Sequence, residues 1–192
     1  MAQHKRIKHF HEPGHLHEFT FSCYRRLPLL SDSSLLEPLA RSIDAAGEAE
    51  HFELVAFVLM PDHVHLLSYP REASADFGRY LARIKQPFSK LVKERWTAQG
   101  SPLLESLMIR ERPGKVCFRF WQEGAGYDRN LYSPAAIIAA IDYIHNNPVR
   151  RGLCSLATQW EWSSARYYLL EPLQQQFAGL PRVTAPPTEA VK

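Results

Sequence analysis

The chain has 192 residues, 45% of them apolar and 22% charged, and a net charge of +3. That length supports one domain with some decoration and a real core, and the composition is that of a globular protein; no apolar run reaches the ~18 residues of a membrane span. Three cysteines (Cys23, Cys117 and Cys154) are widely spaced and form no C-x-x-C pair, so they read as buried thiols of a reducing compartment, not as a disulfide framework or zinc knuckle.

Residues 1–15 are polar and histidine-rich and read as a flexible basic arm. Met1-Ala2-Gln3-His4-Lys5-Arg6 is followed by no apolar stretch, which argues against a secretory leader and for the cytoplasm. Glu18 to Tyr24 alternates and carries enough aromatic and β-branched side chains for a strand. Ser31 to Ala49 reads as a helix, with Leu35, Leu36, Leu39, Ala40 and Ile43 at helical spacing. Phe52 to Met60 is nearly unbroken in its apolar character, as in a strand buried on both faces. Pro61-Asp62 is a turn pair, and His63 to Tyr69 alternates and should run back as the second arm of a hairpin.

Ala73 to Arg95 is predicted helical, with a kink at Pro87. Six cations (Arg79, Arg83, Lys85, Lys90, Lys93 and Arg95) face one acid, Glu94, along it. Arg79, Arg83, Lys85, Lys90 and Lys93 are therefore candidate nucleic-acid contacts, with a solvated helix face as the alternative. Residues 97–115, with Gly100, Pro102, Pro113 and Gly114, read as an inserted loop. Val116 to Trp121 and Tyr127 to Tyr132 supply one more broken strand. Ser133-Pro134 opens a helix that should stop at Asn147, before Pro148. Residues 171–192 read as a disordered tail.

The order strand, helix, strand, strand, helix, strand, helix places residues 16–170 in the α+β class. Its first six elements match the βαββαβ split arrangement of a ferredoxin-like antiparallel sheet, and the seventh adds a C-terminal helix across it.

Two segments carry chemistry. In Met60-Pro61-Asp62-His63-Val64-His65-Leu66-Leu67, residues two apart on a strand share a face, so His63 and His65 present two imidazoles while Val64 and Leu66 face the core. Such a pair suits a divalent transition-type metal, though packed histidines would look the same. On the last helix Ile137, Ile141 and Ile144 form an apolar stripe, with Tyr143 and Asn147 beside it one turn apart. Ala136, Ala139 and Ala140 leave space in front of the tyrosine. Taken without the histidine pair, Tyr143 reads better as a boundary side chain with its hydroxyl in water, and Asn147 as serving the helix end before proline.

Pro61-Asp62-His63-Val64-His65-Leu66-Leu67, followed much later by Asp142-Tyr143-Ile144-His145-Asn146-Asn147-Pro148-Val149, resembles the HUH single-tyrosine transposases. Within that superfamily it is most similar to the REP-associated tyrosine transposases, as is Trp162-Ser163-Ser164-Ala165. The resemblance implies that His63 and His65 bind a divalent metal, Mg²⁺ or Mn²⁺, that Tyr143 is the nucleophile, and that Asn147 supplies a polar third ligand. It also implies an enzyme that cuts and rejoins single-stranded DNA near hairpin-forming palindromes through a 5′-phosphotyrosine, acting as a homodimer or as a monomer. A free phenol, with a pKa of about 10, is a weak nucleophile at neutral pH and needs such help. Two imidazoles move metal preference from magnesium toward manganese.

Trp96, Trp121 and Tyr127 are candidates for stacking on unpaired bases. Burial is the better reading for Trp121 and for Trp160, Trp162, Tyr167 and Tyr168. Asp62 either orients a histidine or serves the turn, and His145, on the flank away from Tyr143, stays outside the site. Two rival readings remain. A barrel metallohydrolase is disfavoured by the short chain and the lack of a second histidine pair. A non-catalytic domesticated hairpin-binding regulator would bind DNA without forming an adduct.

Overall fold

The computed structural model describes residues 15–124, 126–170 and 178–187. The expected basic arm therefore lies, apart from His15, outside the described residues. Strand β1 (Leu16–Ser22) is followed by three 3₁₀ turns and helix α1 (Leu36–Glu50), then β2 (Phe52–Leu59) and β3 (His63–Pro70). The 3₁₀ turns occupy the start of the expected Ser31–Ala49 helix, because Asp32 holds the Ser34 amide (3.0 Å) in a tight turn before α1 begins.

Helix α2 (Phe77–Gln99) is continuous through Pro87. It starts where Asp76 caps the Arg79 amide (2.9 Å) and ends at Gly100 in the left-handed conformation. The stretch 97–115 is not an unstructured loop. It completes α2, forms the short helix α3 (Pro102–Ser106), and enters a two-stranded antiparallel ribbon of β4 (Met108–Arg112) and β5 (Lys115–Phe118) turning at Gly114. Leu107, fully buried, and Ile109 and Phe118 anchor that ribbon to the core. Val116–Trp121 and Tyr127–Tyr132 consequently do not form one broken strand: β5 belongs to the ribbon, and β6 (Tyr127–Leu131) joins the main sheet.

Four strands form the main sheet in the order β2-β3-β1-β6, every pair antiparallel. This is the split βαββαβ order, so the ferredoxin-like expectation holds. Helices α1 and α2 cover one face through Leu39, Ile43, Tyr80, Ile84 and Phe88, packed on Phe19, Phe21, Phe57, Val64 and Leu66. Helix α4 (Pro134–Arg150) covers the other through Ile137, Ile141 and Ile144, against Val55, Val58, Met60 and Leu67. With helices on both sides, β2 has no solvent face, which explains its unbroken apolar run.

Helix α4 opens as expected, with Ser133 accepting from the Ala136 amide (3.3 Å) and Pro134 in its first turn, but it runs past Pro148 to Arg150. Residues 162–164 then lie along the outer edge of β2, where Leu59 N–H donates to Trp162 O and Phe57 N–H to Ser164 Oγ, and helix α5 (Ala165–Leu169) follows. The expected disordered tail does not hold for residues 178–187. Leu180 and Val183 pack on the core, Thr184 N–H donates to Leu54 O, and Arg182 pairs with Asp44 and Glu48.

Gly126, at the entrance to β6, has φ +79, and a Cβ there would stand 2.2 Å from the Thr20 carbonyl oxygen. Gly126→Ala therefore combines left-handed strain with a backbone clash that pushes β6 off β1. A loss of about 2–4 kcal/mol is expected, read as a lower denaturant midpoint at constant m-value. Unchanged stability would mean that this close approach does not hold the strands together.

Candidate active site

The alternation of β3 puts His63 and His65 on the α4 side of the sheet and Val64 and Leu66, both fully buried, on the other. His63 and His65 are only 2% and 4% exposed, and their Nε2 atoms stand 3.1 Å apart. Asn147, one turn after Tyr143 on α4, brings Nδ2 to 3.1 Å from His65 Nε2. The Tyr143 ring meets the His65 ring edge-on, with centroids 5.5 Å apart. These four side chains, with Ala139 and Ala140, share a cleft of about 710 Å³. Tyr143 is 40% exposed.

The carboxylate beside His63 fixes where its lone pair points. Asp62 is ionised and can only accept, so His63 Nδ1–H donates to Asp62 Oδ1 at 2.6 Å, leaving the His63 Nε2 lone pair free. With its NH₂ toward His65, Asn147 donates to His65 Nε2, and in that arrangement His65 Nδ1–H donates to Thr20 Oγ1 at 2.8 Å. In that arrangement two lone-pair nitrogens face one another at 3.1 Å, a spacing that a shared cation would bridge, whereas the other neutral His65 tautomer would donate Nε2–H to His63 Nε2. Burial, followed by the nearby His63, Arg151 and Arg26, pulls the His65 pKa down to about 3, so its ring is neutral near neutrality and one of its nitrogens carries a lone pair.

Asn147 Oδ1 is buried without a hydrogen-bond partner, and rotating its amide would turn that oxygen toward the same point. The spacing of the two nitrogens is close to the ~3 Å edge of an octahedron with bonds of about 2.1 Å. The residues therefore fit a divalent cation with two imidazoles and one amide oxygen. No group of three or more His, Cys, Asp or Glu suited to a metal occurs among the described residues.

Asp62 anchors the back of the pair. Burial would raise its pKa, but the hydrogen bond and charge of His63, with Arg151 and Arg26, bring it below the usual carboxylate value. Of the two readings of Asp62, this geometry favours the orienting one. Asp62→Asn is expected to weaken divalent-metal affinity by about 10–100-fold in a Mn²⁺ titration, and an unchanged affinity would leave Asp62 as a turn residue only.

Helix α2 packs on the opposite face of the sheet, so none of its cations lines the cleft. Arg79 and Arg83 pair with Glu50 at the end of α1, and Lys90 lies near Glu94. Lys85 is half-buried over the Phe21 ring, and burial lowers its pKa to about 8. Lys93 joins Lys90 on a shallow surface hollow of α2. The cleft cations are Arg26, which belongs to the basic cluster of the first 26 residues that suits phosphate contacts, and Arg129, Arg150 and Arg151, which sequence reasoning missed.

Also missed was Glu18, 4% exposed in the cleft floor, lying 3.9 Å from both His65 Nδ1 and Arg129 Nη1. Burial raises its pKa, with Arg129 opposing. Trp96 is buried and cannot stack on a base; Trp121 is buried as expected, whereas Tyr127 is 56% exposed at the cleft. His145 points away from the site and bonds Ser164 Oγ at 2.8 Å.

No family model matches the chain. It is 30% identical over 115 residues to a Haemophilus influenzae protein named for the REP-associated tyrosine transposases; the match covers 59% of this chain and 58% of that one. The chain thus spans a little over half the length of that relative. A solved REP-associated tyrosine transposase bound to a REP hairpin superposes with a TM-score of 0.64 at 20% identity, over 95% of this chain and 100% of that one. A Deinococcus radiodurans protein named for the transposases superposes at 0.43, with 20% identity, over 74% of this chain and 97% of that one. The resemblance read from the two motifs therefore holds: the chain is similar in sequence to the first protein and shares the fold of the second. No helix among the described residues is long and apolar enough to cross a membrane.

Proposed function

We propose that this chain, a relative of the REP-associated tyrosine transposases, cuts and rejoins single-stranded DNA with Tyr143 as nucleophile. The observation that carries the reading is convergence within one chain: the facing Nε2 atoms of His63 and His65, the unpartnered Asn147 Oδ1 and the Tyr143 ring share one cleft. A divalent cation, Mg²⁺ or Mn²⁺, held by His63 Nε2, His65 Nε2 and Asn147 Oδ1, would withdraw charge from the scissile phosphate and fix its orientation.

The protein's own groups do the rest. Edge-on contact with His65 holds the Tyr143 ring at the cleft wall, and the small side chains of Ala139 and Ala140 leave room before it. Tyr143 Oη attacks phosphorus as the bond to the 3′ oxygen breaks. The phenol proton goes to water, and the departing 3′ oxygen takes a proton from water. The tyrosyl phosphodiester keeps the energy of the broken bond, so a second 3′-OH can displace Tyr143 and reseal the strand without ATP. Direct hydrolysis would discard that energy.

The proposed substrate is a single strand bearing a hairpin, the kind of ligand bound by the solved relative. A single strand bends into such a cleft more readily than a duplex, and its backbone suits the arginine-lined walls. All four site residues come from one chain, which favours a monomer as the working unit. To test the reading, the protein would be incubated with Mn²⁺ and hairpin oligonucleotides carrying single-stranded flanks, drawn from repeated palindromes of the host DNA. The expected result is a covalent protein–DNA adduct on a denaturing gel, mapped by mass spectrometry to the Tyr143 peptide. Tight hairpin binding with no adduct would favour a non-catalytic regulator.

A further inference from the structure

Four arginines line the cleft, and three of them stand beside a carboxylate. Arg26 Nη1 is 3.3 Å and Arg151 Nη1 3.8 Å from Asp62, and Arg129 Nη1 is 3.9 Å from Glu18. Arg150 differs. No carboxylate lies within ion-pairing distance of it among the described residues, and its guanidinium carbon sits 5.1 Å from the centroid of the Tyr143 ring. It lies seven residues, two helical turns, after Tyr143 on α4, and its side chain reaches back along the helix, the direction in which helical side chains point. The exposed, uncompensated cation of this cleft is therefore the one placed beside the candidate nucleophile.

We infer that Arg150 is the guanidinium that meets the scissile phosphate as Tyr143 attacks it, a cationic partner additional to the one the histidine pair would hold; this rests on the reading of Tyr143 as nucleophile. A guanidinium is planar and permanently charged, and its fork matches two non-bridging oxygens of one phosphate. The aromatic face holds it in place beforehand through cation–π attraction, so little rearrangement is needed when charge arrives. While the bond from Tyr143 Oη to phosphorus forms and the bond to the 3′ oxygen breaks, Arg150 exchanges no proton. After transfer, the phosphodiester on Tyr143 stays beside the same guanidinium, which holds it for the resealing 3′-OH. A structural role is the alternative, because Arg150 is also a cation in the last turn of α4, where it complements the helix dipole.

Two measurements separate these roles. The first does not require cleavage: in the Tyr143→Phe background, which keeps the ring, binding of a ten-residue oligothymidylate is followed against salt. Adding Arg150→Gln should lower the slope of log affinity on log salt by about 0.7, the contribution of one phosphate contact to a single strand, whereas Arg150→Lys should keep it. The second uses the otherwise native chain with Mn²⁺ and the hairpin oligonucleotide. Arg150→Gln should slow adduct formation by about 100-fold, with Arg150→Lys in between, as for loss of one preorganised donor to developing charge.

An unchanged salt slope, or an adduct formed by Arg150→Gln at the native rate, overturns the inference. So does a matched loss of thermal stability in Arg150→Gln that accounts for both effects. If the native chain forms no adduct but the slope still falls, the phosphate contact stands and the tyrosine-transfer reading is what fails.

Discussion

Tyr143→Phe is expected to abolish adduct formation, by at least about 10⁴-fold, while affinity for the same hairpin oligonucleotide changes by no more than a few-fold. Removing the group that forms the covalent bond leaves only water as an acceptor for the phosphoryl group, and losses of this size follow deletion of a catalytic nucleophile. The hydroxyl is not part of the core: Tyr143 is 40% exposed, and the His65 ring and the Arg150 guanidinium meet its ring, which phenylalanine retains. Stability should therefore stay within about 0.5 kcal/mol of the parent. Gel assays of adduct and filter binding on one preparation test both halves. An adduct surviving in Tyr143→Phe would move the nucleophile to Tyr127, which lines the same cleft, or to the exposed Tyr132.

The parts of this site that could be read from sequence are those that depend on local periodicity. The alternation of β3 places His63 and His65 on one face, and the helical spacing of α4 places Tyr143 and Asn147 on one flank; both are properties of a few consecutive residues. Arg150 and Arg151 were missed for a local reason. Pro148 looked like a stop, because it lacks the amide that would bond the Ile144 carbonyl and crowds it, but the helix continues to Arg150. The turn closes behind it through Arg151 N–H to Asn147 O at 3.1 Å and Leu153 N–H to Pro148 O at 2.9 Å.

Other features depend on partners more than a hundred residues apart. Glu18 faces Arg129, and Thr20 faces Tyr127, only through the β1–β6 register. Neither sequence neighbourhood contains a sign of the other. For α2 the charge density was legible but the side of the sheet was not, and it is the side that keeps those cations from the cleft. The Arg112-Pro113-Gly114-Lys115 stretch carried a usable signal in its proline–glycine turn between short alternating segments. Read as punctuation, it became a loop; paired, it closes the β4–β5 ribbon, where Glu111 joins Lys115 and Arg119.

His65→Ala carries the second large expected effect, and it separates metal binding from nucleophile chemistry. His65 has more site partners than any other residue: Thr20 Oγ1 at 2.8 Å, His63 Nε2 and Asn147 Nδ2 each at 3.1 Å, and the Tyr143 ring beside it. Truncation empties a buried position and strips Asn147 Nδ2 of its contact with His65 Nε2, which should cost about 2–3 kcal/mol. That loss alone says nothing about metal. The informative quantity is the response to metal, because a ligand that binds only the folded state at about 100 times its Kd adds about 2.7 kcal/mol of stability.

The native chain and Tyr143→Phe should both show a Mn²⁺-dependent rise in unfolding temperature, and His65→Ala should show none, with metal-dependent cleavage lost along with it. His145→Ala is the matched control, since His145 is equally buried but bonded to Ser164 away from the cleft. It should lose stability yet keep the full response to Mn²⁺. A response that persists in His65→Ala, or that disappears equally in His145→Ala, would mean that the facing imidazoles are not the cation's ligands. The 3.1 Å contact would then be an ordinary hydrogen bond in which one ring's Nε2–H donates to the other's Nε2.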